Sequence, residues 1–295
     1  MNRKTFITSL LTITAGITFG TKLNAVKIIK ESMKNTPKMP VLFLGHGSPM
    51  NAIEENEFVQ GFRNISSEIE SPKAIIVVSA HWETKGTQVT AMESPRTIHD
   101  FVGFPKELFE VQYPAPGMPQ LAKDVKNIAA STNVTLDEKW GLDHGAWTVI
   151  RHMYPKADIP VIQLSLDYNK KPEQHYELAK ELYELRNKGI LIVGSGNMVH
   201  NLGMVHWPKL NENFGYEWAN EANEKMKHFI LDGNHQALIN YSQQGKSFDL
   251  SIPTPEHYLP LLYALALQDS KDEIKIFNDE PVAGSLTMTS VKIGK

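Results

Sequence analysis

Four short apolar runs, at 40–44, 74–80, 160–166 and 189–193, alternate along the chain with longer amphipathic stretches. Continuous apolar runs of this length, rich in Ile, Val and Leu, are typical of strands that are buried on both faces of a parallel sheet. We predict helices over 57–69, 118–130, 173–187, 216–231 and 255–268. Strands that alternate with helices predict an α/β fold with a mostly parallel central sheet flanked by helices.

The end of the chain follows a different pattern. Residues 273–293 alternate between apolar and polar positions, as paired strands do, and predict extra C-terminal strands. No Gly/Ser-rich or Pro-rich linker divides the 295 residues, and single α/β domains reach this length. We therefore expect a single domain over 40–295.

Composition narrows the classes of function. A formal net charge of −3 without a basic tract argues against nucleic acid as a partner and leaves a small molecule. The chain has no cysteine, which excludes disulfides, thiolate metal sites and cysteine nucleophiles. A metal site would therefore have to use histidine, aspartate or glutamate, and the chain has 11 histidines.

The N-terminus has its own pattern. Arg3 and Lys4 precede a mostly apolar run over 6–19, and small residues follow it, as in a signal peptide. The run is shorter than the roughly 20 residues that span a bilayer, so we expect no stable membrane span. We predict a cleaved signal over 1–25, similar to a twin-arginine signal, then a spacer over 26–39, and a periplasmic or exported protein. The alternative is a cytoplasmic N-terminal helix.

Three predicted strands run into histidines. His46 follows the first strand, His81 the second, and His200 the strand at 189–193. Ligands of parallel α/β sheets bind at the carboxyl ends of the strands, so these imidazoles converge if the strands are neighbours. Gly45 and Gly47 beside the first histidine permit a tight turn. The pattern predicts a metal site.

Two further histidines have unusual surroundings. His257 stands at the start of the predicted helix over 255–268, with Thr254 as an N-cap and Pro255 at the first helical position, where a neutral imidazole is favoured. His144 lies between two tryptophans and suits proton transfer near an apolar substrate. We expect the remaining histidines without such framing to lie at the surface: His152, His175, His206, His228 and His235.

Seven motifs together resemble the class III extradiol ring-cleaving dioxygenases, and within them the branch that opens the ring of DOPA. The resemblance covers residues 40–293. Its motifs, in chain order, are Gly45-His46-Gly47-Ser48-Pro49, Ser79-Ala80-His81-Trp82, His99-Asp100-Phe101 with Gly103-Phe104-Pro105, Tyr113-Pro114-Ala115-Pro116-Gly117, Leu142-Asp143-His144-Gly145-Ala146-Trp147, Gly194-Ser195-Gly196 and Pro255-Glu256-His257.

The resemblance implies roles for these residues. His46, His81 and His257 would hold one divalent metal, and His200 would be a fourth ligand or an acid/base. His144 would line the catalytic pocket and share the proton transfers. Catechol and O2 would be the partners, and a muconate semialdehyde the product. The substrate-binding wall would comprise Trp82, His99, Phe101, Phe104, Trp147 and Tyr258.

The identity of the metal depends on His257. Non-haem Fe(II) usually has two histidines and a carboxylate, whereas His257 makes the set all-histidine, as in zinc sites. We expect Fe(II) for turnover, because Zn(II) is redox-inert, and Zn(II) as an ion that can also occupy the site. Two other hypotheses remain: a zinc-dependent hydrolase, and a non-catalytic metal-binding protein that resembles the Memo type.

Overall fold

An eight-stranded sheet forms the centre of the molecule in a computed structural model that describes residues 37–210 and 212–295. The strand order is β4-β3-β5-β2-β6-β1-β10-β7, and a separate two-stranded sheet pairs β8 with β9. The strands are β1 (Val41–Gly45), β2 (Ala74–Thr84), β3 (Gln88–Thr90), β4 (Thr135–Asp137), β5 (Val161–Asp167), β6 (Ile190–Gly196), β7 (Ile274–Phe277), β8 (Pro281–Val282), β9 (Leu286–Thr287) and β10 (Ser290–Ile293).

The four apolar runs of the sequence form the middle of this sheet. Strands β5, β2, β6 and β1 are neighbours and run parallel, while β10 and β7 extend the sheet with antiparallel pairing. The predicted α/β class, the mostly parallel sheet and the extra C-terminal strands are confirmed. The middle strands are buried on both faces, which explains why their sequences do not alternate with polar residues.

Helices cover both faces of the sheet. They are α1 (Glu57–Ser67), α2 (Lys106–Phe109), α3 (Pro119–Ile128), α4 (His144–Met153), α5 (Pro172–Glu181), α6 (Glu217–Leu231), α7 (His235–Ile239), α8 (Lys246–Ser251) and α9 (Leu259–Ala266). Short 3-10 turns lie at Pro49–Ala52, Tyr183–Lys188, Leu202–Met204, Trp207–Lys209 and Tyr241–Gln243. In β1, Phe43 faces the core beneath α5 and α9, whereas Leu44 faces the core beneath α1 and α4. Successive side chains of a strand point to opposite faces, so one strand serves both cores.

The helix predicted over 255–268 begins later than expected. Thr254 does not cap it, because its hydroxyl donates to Glu256 Oε1 at 2.9 Å, and a separate turn bonds the Leu259 N–H to the Pro255 carbonyl at 2.8 Å. The helix itself starts at Leu259 with Pro260 in its first turn, where the missing proline N–H costs no hydrogen bond. His257 therefore lies in the turn before the helix.

One of the histidines expected at the surface lies in the core. His175 is fully buried in α5, and its Nδ1 lies 3.1 Å from the Tyr263 hydroxyl. Burial lowers its pKa to about 4, which keeps the imidazole neutral. The surface prediction is wrong at this position because His175 occupies the inward face of α5, beside Leu178 and Ala179.

The predicted signal over 1–25 and the spacer as far as residue 36 lie outside the described residues. Within 37–210 and 212–295, no helix combines the length and the apolar character that crossing a bilayer requires.

Candidate metal and active site

The order of the strands brings three histidines to one edge of the sheet. Strand β6 lies between β2 and β1. His46 directly follows β1, and its backbone N–H donates to the Gly196 carbonyl at the end of β6 at 3.0 Å. His200 follows β6 by four residues. The predicted convergence of strand ends therefore occurs.

His81 reaches the site from within β2 rather than after it. Strand β2 continues to Thr84, and its register against β5 shifts between Val78 and Glu83. Such an irregularity re-aims side chains and is common beside active sites. It places the His81 ring beside His46, with their Nε2 atoms 3.1 Å apart.

His257 lies in a turn that is far in sequence from the strand ends, and a glycine leaves space for this turn. Its carbonyl accepts the Asn197 N–H at 2.9 Å, and a Cβ on Gly196 would lie 2.0 Å from the same oxygen. Because backbone cannot yield as a flexible side chain can, only glycine at 196 allows this contact. Gly145 has a similar role, since a Cβ there would lie 2.8 Å from His81 Cδ2.

The three imidazoles of His46, His81 and His257 fit a metal ion. Their ring centroids are 4.9, 5.3 and 5.0 Å apart, and one ring nitrogen from each lies within 4.8 Å of the others. Two nitrogens bound at about 2.1 Å to one tetrahedral ion would lie about 3.4 Å apart. The 3.1 Å separation of the His46 and His81 Nε2 atoms is close to that value.

Hydrogen bonds behind the rings fix which nitrogen faces the site. The Ser195 hydroxyl donates to the Gly145 carbonyl at 2.5 Å, so its oxygen accepts the proton of His46 Nδ1 at 3.0 Å. His257 Nδ1 lies 3.1 Å from Glu256 Oε1, which can only accept when ionised. The Nε2 atoms of both rings are therefore the unprotonated ones, as metal ligands must be.

Burial keeps these imidazoles neutral. Desolvation, reinforced by the neighbouring histidines, holds the pKa of His46 and of His257 well below the usual value. For His81, desolvation and the nearby His144 lower the pKa to about 3, although Asp100 opposes the shift. Neutral imidazole is the form that binds metal.

His144 and Asp100 form a pair beside this cluster. Asp100 accepts the backbone N–H of His144 at 2.8 Å, and its Oδ2 accepts from His144 Nδ1 at 2.9 Å. Burial alone would raise the pKa of Asp100, but the hydrogen bonds from His144 outweigh it and lower the pKa. The ionised carboxylate holds the proton on Nδ1, so Nε2 of His144 is free to accept another.

His200 lies beside the three-histidine group rather than within it. Its ring stacks on His257, with the centroids 3.5 Å apart and the planes 8° from parallel. His200, Glu256 and His257 form a second group of potential metal ligands. His200 does not belong to the group of His46, His81 and His257. Burial lowers the pKa of His200 to about 4, so this ring is also neutral.

The histidines lie at the inner end of a cavity of about 500 Å³. Its outer wall is mainly apolar and is formed by the loop after Asp100, the segment 202–210 and β9. The residues that line the cavity are His46, Gly47, Ser48, Pro49, His81, Phe101, Val102, Gly103, Phe104, His144, Asn197, His200, Leu202, Val205, Trp207, Leu210, His257 and Leu286.

Of the six residues predicted to bind substrate, the cavity wall includes Phe101 and Phe104. Trp147 and His99 pack behind Phe101 instead, with ring centroids 6.4 and 5.8 Å from it. Their nitrogens bond to backbone, Trp147 Nε1 to Ile98 O at 2.8 Å and His99 Nε2 to Val111 O at 2.9 Å. These two residues support the wall without lining it.

Trp82 and Tyr258 lie elsewhere, and their placement in the wall is corrected. Trp82 follows His81 in β2 and therefore points to the opposite side, where it stacks on Trp140 at 5.7 Å. Tyr258 is 1% exposed in the core beneath α9, and its hydroxyl donates to the Leu238 carbonyl at 2.9 Å. Each is the immediate neighbour of a site histidine but faces away from the site.

Three functional residues were not identified as such from the sequence. Asp100 was part of a motif without a role of its own, whereas it orients His144. Ser195 and Gly196 were parts of a motif without a role, whereas Ser195 orients His46 and Gly196 admits His257. For Gly196, the sequence signal was Gly-Ser-Gly at the end of a buried strand. Glycine within a strand often marks a place where another backbone comes close.

Comparisons with known proteins show the family of the chain. Residues 39–288 match the family described as the catalytic LigB subunit of aromatic ring-opening dioxygenase. The chain is 47% identical over 272 residues to the 4,5-DOPA dioxygenase extradiol of Escherichia coli K12, covering 90% of this chain and 99% of that protein. It is 34% identical over 258 residues to the protein of the same name from Beta vulgaris, covering 85% and 94%.

A crystal structure of an uncharacterized Escherichia coli K12 protein superimposes with a TM-score of 0.74 at 44% identity, covering 87% of this chain and 100% of that one. The family match and the relatives confirm the resemblance to the extradiol ring-cleaving dioxygenases. The chain belongs to the LigB family of aromatic ring-opening dioxygenases and is an extradiol dioxygenase.

Proposed function

We propose that the chain binds one divalent metal through His46, His81 and His257, and that it cleaves a catechol ring beside its two hydroxyls with dioxygen to give a muconate semialdehyde. The observation that carries the proposal is the convergence of three neutral imidazoles at the inner end of an aromatic-lined cavity. Membership of a ring-opening dioxygenase family supports this cavity as the place of reaction.

We propose Fe(II) as the metal for turnover. When bound, it supplies the redox chemistry that allows dioxygen to react with the ring, which redox-inert Zn(II) cannot supply. Zn(II) should nevertheless bind the same residues, since it generally binds more tightly than Fe(II). Three neutral imidazoles leave the ion's charge uncompensated, which favours an anionic catecholate as the partner.

In this proposal, His144 takes a proton from a catechol hydroxyl at Nε2. The hydrogen bond from its Nδ1 to Asp100 supports that direction of transfer, because the carboxylate stabilises the imidazolium that results. His200, neutral and stacked on His257, is the second proton carrier. Its position outside the three-histidine group favours an acid/base role over that of a fourth ligand.

L-DOPA is the substrate to test first, because the relatives from Escherichia coli and Beta vulgaris are named 4,5-DOPA dioxygenase extradiol. The family favours ring opening over the zinc-hydrolase and non-catalytic hypotheses. The carboxylates of Asp100 and Glu256 are bonded to histidines, so neither is a free general base for a hydrolase.

The test is to purify the full chain anaerobically and to load one equivalent of Fe(II) per chain. Oxygen uptake and incorporation of both atoms of ¹⁸O2 are then measured with catechol and with L-DOPA. We expect uptake with at least one catechol, and loss of metal and activity in His46→Ala. Absence of uptake with every catechol, at full iron occupancy, would refute the proposal.

We also propose that residues 1–25 are an export signal that is removed. The evidence is the basic and apolar pattern of the sequence alone. Mass spectrometry of the N-terminus of the protein from its native host would test it, and a chain that retains residues 1–25 would rule out cleavage.

A further inference from the structure

A buried amide in the wall of the cavity has an oxygen without a hydrogen-bond partner. Asn197 directly follows β6, is 1% exposed and lines the cavity together with His46, His200 and His257. Its Oδ1 is buried and accepts no hydrogen bond from the described residues. Buried polar atoms in proteins are nearly always paired, so an unpaired acceptor in a cavity wall points to a donor on the ligand.

Two hydrogen bonds fix the orientation of Asn197. Its backbone N–H donates to the His257 carbonyl at 2.9 Å, and its Nδ2 donates to the Thr287 carbonyl in β9 at 2.8 Å. Rotation of the amide by half a turn would bring Oδ1 against the Thr287 carbonyl oxygen, and two acceptors cannot bond to each other. The NH2 group therefore faces Thr287, and Oδ1 is the atom left for a donor from elsewhere.

The other buried polar atoms that lack a partner belong to residues outside the cavity wall. Among the described residues they are Thr87 Oγ1, Tyr154 OH, His175 Nε2 and His206 Nδ1, and none of these residues lines the cavity. Within 37–210 and 212–295, Asn197 is thus the one residue that combines an unpaired buried acceptor with a place in this wall.

Asn197 and His144 lie beside different members of the histidine cluster. The His144 ring contacts His81, with the centroids 3.8 Å apart, whereas Asn197 is bonded to His257, on which His200 stacks. Each offers one acceptor atom, Nε2 of His144 and Oδ1 of Asn197. An imidazole can take up a proton, whereas an amide oxygen only accepts a hydrogen bond. The site therefore has two unlike acceptors, and a catechol has two hydroxyl donors.

We propose that Asn197 Oδ1 accepts a hydrogen bond from the second hydroxyl of the catechol, the first being bonded to His144. The inference rests on the proposed catechol cleavage and adds Asn197 to the residues that bind the substrate. Its role is specificity for a ring with two adjacent hydroxyls. A ring that lacks the second hydroxyl leaves Oδ1 buried and unpaired, which disfavours binding.

Binding of catechol and of phenol to the Zn(II)-loaded full chain tests the proposal, since phenol lacks the second hydroxyl. Calorimetry gives the ratio of the Kd for phenol to the Kd for catechol. We expect Asn197→Leu, which is similar in shape but has no acceptor, to lower this ratio about tenfold or more. If that variant does not hold one zinc per chain, Asn197→Ala takes its place with the same expected result. A loss of affinity that is equal for the two ligands would overturn the proposal.

Two control variants separate the acceptor from the structural role of the amide. Asn201→Leu also removes a side-chain bond to a backbone carbonyl, that of Leu250 at 2.7 Å, but Asn201 does not line the cavity. Its ratio should equal that of the wild type. Asn197→Asp keeps an oxygen at the Oδ1 position, and burial favours the protonated carboxyl, which still donates to Thr287. It should restore the ratio to near the wild-type value, and a ratio as low as that of Asn197→Leu in either control would contradict the proposal.

Oxygen uptake by the Fe(II)-loaded chain separates this inference from the proposed reaction. If the ratio falls in Asn197→Leu while the wild-type iron form consumes no oxygen with any catechol, the reaction fails and the role of Asn197 stands. If oxygen is consumed and the ratio is unchanged, the reaction stands and the role of Asn197 is refuted. A wild-type zinc form that binds catechol no more tightly than phenol would also refute that role.

Discussion

The inner and outer parts of the cavity are built in different ways. In the inner part, His46, His144 and His257 each have a ring nitrogen bonded to a fixed partner, and the ends of neighbouring strands position the cluster. In the outer part, apolar side chains project from a loop and from two short 3-10 turns, and several are exposed. Strand ends and hydrogen bonds together therefore fix the inner part, whereas loops shape what surrounds the substrate.

The largest effect should come from a single methyl group at the inner part. In Gly196→Ala, the added Cβ would lie 2.0 Å from the His257 carbonyl oxygen, so the turn carrying His257 must move. We expect metal occupancy well below one per chain and a loss of kcat/KM of about 100-fold or more. Metal analysis and oxygen uptake measure the two effects.

Gly203→Ala is the matched control in the outer part. A Cβ there would meet only Asn201 Oδ1, at 3.3 Å. We expect metal occupancy to stay at the wild-type level. The loss of kcat/KM should be at least tenfold smaller than in Gly196→Ala. Equal losses in the two variants would break the distinction between a rigid inner part and a tolerant outer part.

The Asp100→Asn substitution tests whether orientation of His144 matters apart from metal binding. Asp100 accepts both the backbone N–H and the Nδ1–H of His144. An asparagine has one acceptor oxygen, so with the backbone N–H bonded to it the amide NH2 faces Nδ1, and the tautomer that leaves Nε2 free is lost. We expect kcat to fall by about 10–100-fold. Stopped-flow oxygen consumption at full iron occupancy is the measurement. Asp158→Asn, at an exposed position, should retain kcat; a comparable fall there would show a nonspecific effect.

A smaller effect is expected from Ser195→Ala. The variant removes the acceptor of the His46 Nδ1 proton but leaves the imidazole in place. Loss of such a partner typically weakens metal affinity by about 10-fold or somewhat more. Competition with a zinc chelator would measure it. Ser251→Ala removes a buried hydroxyl whose one bond within the described part of the chain is to the Ser247 carbonyl, and an equal weakening there would contradict a specific role for Ser195.

The smallest effect concerns a buried histidine outside the site. The pKa of His175 is lowered from 6.5 to about 4 by burial. Between those two pH values the unfolded chain binds one proton more than the folded chain. The free energy of unfolding should therefore fall, as pH falls through this window, by about 1.4 kcal/mol per unit from this group.

His175→Gln should remove this part of the pH dependence. Urea unfolding of the two proteins between pH 4 and 6.5 would show a shallower slope for the variant, while zinc affinity stays at the wild-type value. Parallel slopes would contradict a neutral buried His175. A loss of zinc affinity in His175→Gln would contradict the placement of His175 outside the metal site.

Much of the site could be predicted because its signals are local. His46 and His81 stand at the ends of apolar runs, and the seven motifs lie in order along the chain. The aromatic wall was predicted less well, since Trp82 and Tyr258 directly follow site histidines in the sequence but face away from the site. In strands and turns, adjacent side chains point in different directions, so nearness in sequence does not place a residue in the cavity.

The sequence by itself determined the α/β class, the parallel strands and the identity of the histidines, because hydrophobic period and short motifs are properties of neighbouring residues. Only the tertiary structure decided that Gly196 admits the turn of His257, that Asp100 orients His144, and that Leu202 and Trp207 face the same cavity. These relations join residues that are more than 40 positions apart or lie on different elements. They depend on strand order and on close backbone contact, which no local pattern encodes.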